Sequence, residues 1–164
     1  MKLKIATPAI VAALGLCAFV PMGAASAGPT PPALNPCAFG RAEIATALGM
    51  EVKLNEAADM KTPGGRDVGC IYSFTSTSLV LSLRLIWPAP PAAPSAKSGK
   101  REHGVRAIVG DPDDAAWKVS GAGDEQRVDL TYTRAGVAVH LSAYGTTFDV
   151  TDFQQRLLNL RRVP

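Results

Sequence analysis

The twenty residues from Val68 to Trp87 constrain the fold more than any other stretch. They read Val-Gly-Cys-Ile-Tyr-Ser-Phe-Thr-Ser-Thr-Ser-Leu-Val-Leu-Ser-Leu-Arg-Leu-Ile-Trp. Val68, Cys70, Tyr72 and Phe74 alternate with smaller or polar residues, and Leu79, Leu81, Leu83, Leu85 and Trp87 do the same. A period of two predicts strands with one buried face. A short loop centred on Ser76-Thr77 makes the two runs a hairpin, pairing Phe74 with Leu79, Tyr72 with Leu81, Cys70 with Leu83 and Val68 with Leu85. Every apolar residue of that set then falls on one face, and this fixes the register.

A second hairpin is expected from Arg127 to Tyr144, with Ala135-Gly136 in the turn. Tyr132 then faces Val139, Leu130 faces Leu141 and Val128 faces Ala143. The opposite face collects Thr131 with His140, Asp129 with Ser142 and Arg127 with Tyr144. One oily face and one wet face is the antiparallel-sheet pattern.

Helices are expected at both ends of the sheet. Gly40-Arg41-Ala42-Glu43 opens the first, with Glu43 placed to reach back to the cap and Gly49 placed to stop it in a left-handed conformation. Asp149 caps the second, which the spacing of Val150, Phe153, Leu157 and Leu160 extends to about Arg162. Arg156, Arg161 and Arg162 then sit at its C-terminal end, where positive charge is favoured. A first strand is expected over Glu51–Asn55, a turn at Thr62-Pro63-Gly64-Gly65 and a short strand over Val105–Val109. Gly110-Asp111-Pro112-Asp113-Asp114 reads as a loop capping one helical turn through Ala115-Ala116. Trp117 and Val119 resume alternation, and Gly121 to Asp124 is a turn. The predicted fold is α+β: an antiparallel sheet of about five to seven strands, with an N-terminal and a C-terminal helix packed on one face.

The ends of the chain bear on where it goes. Lys2 and Lys4 precede an apolar run from Ile5 to Val20, and Ala25-Ser26-Ala27 supplies a small-x-small site. Residues 1–27 are therefore expected to be a secretory signal peptide, sending the protein to the periplasm or the medium. The run is too short and too poorly flanked for a stable membrane span. Leu16 precedes Cys17 where a lipobox needs a small residue, so lipidation is not expected. Residues 28–36 form a Pro-rich leader, and residues 37–164 a single domain. Pro88, Pro90, Pro91 and Pro94 mark a Pro-rich loop at 88–104 inside it.

Two of the three net positive charges belong to Lys2 and Lys4. The remaining domain is near-neutral, with no electrostatic case for nucleic acid. After cleavage Cys37 and Cys70 remain, and an even count in an oxidising compartment reads as a disulfide. Zinc would need further ligands, and neither His103 nor His140 has ligand spacing from a cysteine.

The candidate chemistry is sparse. His140, Asp129 and Ser142 share a face, but Asp129 and Ser142 oppose each other with His140 diagonal to both, and the chain has no Gly-x-Ser-x-Gly elbow. The plain reading is a solvated sheet face, with Arg127, Asp129, Thr131, His140, Ser142 and Tyr144 as a candidate contact surface. Lys97, Lys100, Arg101, His103 and Arg106 form a second candidate, a basic contact loop for an anionic polymer, head groups or a protein. Asp111-Pro112-Asp113-Asp114 fails as an EF-hand, because Ala116 and Ala122 occupy the places of the glycine and the glutamate. Trp87 and Trp117 alternate in phase with apolar neighbours and are expected in the core. No metal and no cofactor are expected.

Taken in order, the residues Asn35-Pro36-Cys37, Ala47-Leu48-Gly49, Gly69-Cys70-x-Tyr72 and Gly110-Asp111 with Ala115 and Trp117 complete a pattern. With two strands around a glycine turn and a terminal helix, it resembles small exported bacterial domains of unknown function, best represented by actinobacterial lipoprotein domains. The resemblance covers most of the chain after the leader. It implies a Cys37–Cys70 disulfide, an α+β domain and no established catalytic residue. The chain departs from those lipoproteins by lacking a lipobox and by its Pro-rich loop, so a membrane anchor is not carried over. These readings converge on a non-enzymatic exported binding module for a protein, small-molecule or envelope partner. A small hydrolase or ion-dependent enzyme using the His140 face and an inhibitor of a secreted enzyme are the alternatives.

Overall fold

Seven strands form one antiparallel sheet: β1 (Val52–Thr62), β2 (Gly65–Phe74), β3 (Val80–Trp87), β4 (Val105–Ala107), β5 (Ala116–Ser120), β6 (Arg127–Arg134) and β7 (Val137–Tyr144). The computed structural model describes residues 30, 32–62, 65–91 and 104–163. Residues 1–27, most of the loop at 88–104, and Pro63-Gly64 lie outside the described residues. The strand order is β1-β2-β3-β7-β6-β5-β4. The sheet is thus two meanders, β1-β2-β3 and β4-β5-β6-β7, which meet where β3 pairs with β7.

Both anticipated hairpins have the expected register. Val68 pairs with Leu85, Cys70 with Leu83 and Tyr72 with Leu81. In the second hairpin Leu130 pairs with Leu141 and Tyr132 with Val139. Ala135 and Gly136 form its turn with φ of 49° and 74°, the positive values that a two-residue hairpin turn requires at both positions. The seam places Leu83 opposite Leu141 and Leu85 opposite Val139, so the apolar phases of the two meanders coincide.

Two helices lie on the oily face: α1 (Arg41–Leu48) and α2 (Val150–Leu158). Ile44 and Leu48 of α1 and Phe153 and Leu157 of α2 join Val68, Cys70, Tyr72, Leu81, Leu83, Val128, Leu130, Val139 and Leu141 in one core. Trp117 is buried in it and Trp87 is packed against it. The Cys37–Cys70 disulfide, with Cα atoms 5.0 Å apart, ties the entry of α1 to β2. The two inner tyrosines reinforce the chain ends. Tyr72 donates its hydroxyl to Phe39 O at 3.2 Å, and Tyr132 accepts from Val163 N at 3.0 Å. Burial raises the pKa of both phenols. Among the described residues no helix is long and apolar enough to cross a membrane.

Four local expectations are corrected. First, β1 continues to Thr62 rather than ending at Asn55. Residues 55–62 show no apolar alternation; the strand is held by its backbone ladder to β2 and by the Asp59–Arg66 ion pair, and residues 55–59 are not buried. Second, no helical turn follows Asp111. Its carboxylate accepts the amides of Asp113 and Ala115, and Ala116 opens β5. Third, Glu43 does not fold back on the cap of α1, where Gly40 supplies no side-chain bond; it pairs with Arg161. Fourth, α2 stops at Leu158, so Arg161 and Arg162 lie beyond it. Arg161 reaches Glu43 and the carbonyl of Ala38, while Arg162 pairs with Asp111 over the Tyr132 ring. Those partners, with burial of Leu160 and Val163, outweigh what a helix dipole offers, about 0.3–1 kcal/mol. The caps themselves are as expected: Asp149 accepts from Asp152 N at 2.8 Å, and Gly49 closes α1 at φ 68°.

Candidate functional site

The face of the sheet opposite the helices carries the polar residues. Their places follow from the pleat and the register. Arg84, His140 and Thr131 lie level across β3, β7 and β6. The next level holds Ser82, Ser142, Asp129 and Lys118, and the one after holds Val80, Tyr144, Arg127 and Ser120. The six candidate residues of the second hairpin are therefore brought together as their spacing implied. Of the candidate basic loop, Arg106 is exposed on β4 opposite Trp117, on the other face of the sheet. Lys97, Lys100, Arg101 and His103 lie outside the described residues.

Hydrogen bonds arrange this face into two ion-paired groups. In one, Ser142 donates its hydroxyl to Asp129 Oδ1 at 2.5 Å. Arg127 donates Nε to the same carboxylate oxygen at 2.7 Å and Nη2 to Ser142 Oγ at 2.9 Å. Its guanidinium also lies 5.8 Å from the Tyr144 ring centroid. In the other, Arg84 donates Nε to Asp67 at 2.9 Å and 3.2 Å and pairs through Nη2 as well. Asp67 and Arg84 were not singled out in the sequence. The signal was present: Arg84 occupies the wet phase of β3, and extending the hairpin register one residue beyond Val68 puts Asp67 on the same face.

The depth of each charge matters. The Asp67 and Asp129 side chains are 5% and 16% exposed, whereas those of Arg84 and Arg127 are 52% and 49% exposed. The acids sit at the level of the sheet and the guanidiniums above them.

His140 stands between the two groups. Its pKa is pushed below the ordinary histidine value of 6.5, first by burial and then by Arg84, with Asp129 and Asp67 pulling the other way. Among the described residues no hydrogen bond joins it to Ser142. A serine nucleophile needs a base that takes its proton. Here the Ser142 hydroxyl is donated to Asp129, not to His140, and Arg127 Nη2 donates into Ser142 Oγ, which draws on the lone pairs a nucleophile would use.

Among the described residues no group of three His, Cys, Asp or Glu side chains is placed to hold a metal ion. Asp111 of the acidic loop is already used by Arg162 and two amides. On the helical side a depression of about 550 Å³ is lined by Ala42, Glu43, Thr46, Ala47 and Asn159. Among the described residues, none of the candidate contact residues lines it. No family model, curated protein or solved structure matches this chain.

Proposed function

We propose that the protein is an exported, non-enzymatic binding module whose contact surface is the open face of its sheet. One observation carries the reading. Two arginine–carboxylate groups of this face are held by hydrogen bonds within each group, while no helix covers them among the described residues. Fixed side chains on rigid strands suit recognition, because little side-chain entropy is lost on contact. Catalysis is the less favoured use of the same residues, since Ser142 and His140 are not joined as nucleophile and base.

Export is supported by the charged, apolar and small-residue pattern of residues 1–27 and by the disulfide, which persists in oxidising compartments. The resemblance to exported actinobacterial domains points the same way.

Side-chain footprinting by hydroxyl radicals, with and without the envelope fraction of the producing cell, tests the proposal. The expected result is protection of Ile71, Ile86, His140 and Tyr144, which belong to the open face. Protection confined to the helical side, at Thr46 and Leu158, would sink it.

A further inference from the structure

We infer that the open face binds a carboxylate-bearing polysaccharide, gripped by Arg84 and Arg127. The inference rests on the open face being the contact surface and names its ligand class. The first ground is the layering of charge. Each arginine is held by a carboxylate beneath it, so the face is nearly balanced in formal charge yet presents its cations outward. Each uses only Nε and Nη2 in the array. Nη1 of both makes no hydrogen bond among the described residues, leaving guanidinium N–H groups to meet an incoming carboxylate.

The second ground is spacing. Arg84 is level with Thr131 through His140, and Arg127 lies four residues from Thr131 along β6. Two strand spacings and four residue rises put the two Cα atoms about 17 Å apart. A single small anion reaches one arginine; an extended chain with repeated carboxylates reaches both. The third ground is what lies between. Ser142 lies on the line joining the arginines, and it and Asp129 are already bonded to Arg127, while Ser82, His140 and Thr131 beside that line offer hydroxyl and imidazole groups to the hydroxyls of a sugar chain.

Other polymers fit less well. The backbone groups of β3, β7 and β6 are spent on the ladders, whereas peptides are recognised at a free edge or through side-chain pockets. Single-stranded nucleic acid needs stacking platforms, and Tyr144, the aromatic residue of these three strands on this face, is engaged with Arg127.

The test is calorimetric titration of the full chain after its leader with an oligouronate of eight sugars. Comparisons are the dimer, a neutral glucan of equal length, polyglutamate and anionic phosphatidylglycerol vesicles. The octamer is expected to bind at least tenfold more tightly than the dimer, and raising salt from 50 to 300 mM is expected to weaken it about tenfold. Arg127→Gln should weaken it by a similar factor. Because that change strips Asp129 of a partner, Ser82→Glu is the companion variant: it removes no ion pair, puts a further negative charge beside Arg84 on the open face, and should lower affinity at least tenfold with an unchanged thermal transition. Equal binding of the neutral glucan, or full affinity in Ser82→Glu, overturns the inference. So does binding of polyglutamate or vesicles in place of the oligouronate. If the oligouronate fails while the envelope fraction still protects Ile71 and Tyr144, the ligand class is wrong and the contact surface stands. If that protection is also absent, both readings fall.

Discussion

On β3, Leu81, Leu83 and Leu85 point toward the helices, while Ser82, Arg84 and Ile86 point away from them. The same contrast runs through β7 and β6, where Val139, Leu141, Val128 and Leu130 are buried in the core, and His140, Asp129 and Thr131 are not. The inner face is stabilised by removal of apolar area from water, roughly 1.5–3 kcal/mol for each fully buried large side chain. The outer face gains little from its exposed arginines, since half-exposed ion pairs contribute about 0–1 kcal/mol. What the outer pairs provide is position. Asp67 and Asp129 hold two long, flexible side chains in one geometry. The two faces therefore differ in what holds them, apolar burial on one and paired charges on the other.

The sharpest way to break that division is to cut into the inner face. Leu83 is 1% exposed at the seam of the two meanders. Leu83→Ala is expected to cost about 4 kcal/mol from lost burial and the cavity left behind, read as a fall in the denaturant midpoint. Removing the staple comes next. Cys37 and Cys70 are 33 residues apart, and loop-closure entropy puts the joint change Cys37→Ser with Cys70→Ser at about 3.7 kcal/mol. A thermal melt that does not move would show that α1 needs no covalent tie to β2.

The outer face should answer more weakly. Asp67→Ala removes a nearly buried acceptor but leaves Arg84 half in water, so about 0–1 kcal/mol is expected. The larger consequence is that the freed guanidinium should weaken oligouronate binding more than it weakens stability. A loss near that of Leu83→Ala would mean the outer pair carries the fold after all.

The smallest effect concerns pH. His140 has a folded pKa below its unfolded value of about 6.5. In acid the unfolded chain therefore takes up more protons at this site. Its contribution is complete above about pH 6.5 and is lost progressively as pH falls below that value. Guanidinium unfolding at pH 7.5 and at pH 5.0 should show a smaller drop for His140→Gln than for the unchanged protein. An equal drop would place the sensitivity at another group.

Much of this was legible because a period of two is a local signal. The alternation in Val68–Phe74, Leu79–Trp87 and Arg127–Tyr144 determined four strands, two registers, the split into oily and wet faces, and which polar residues share the wet one. Asp149 and Gly49 likewise marked helix ends, because cap chemistry acts over a few residues. Where the deciding contacts were distant, local rules failed. The backbone pairing that carries β1 to Thr62, the arginine contacts that follow α2 at Leu158, and the departure of Glu43 toward Arg161 depend on segments far apart in the chain. The site divides in the same way. Arg127, Asp129, Thr131, His140, Ser142 and Tyr144 were grouped by sequence alone. Only the pairing of β3 with β7 set Arg84, with Asp67 beside it, next to His140. Nothing in a strand's own residues states which strand of another meander it will join. In the structure both oily faces lie under the same two helices, and the pairing of β3 with β7 joins two separate wet strips into one surface.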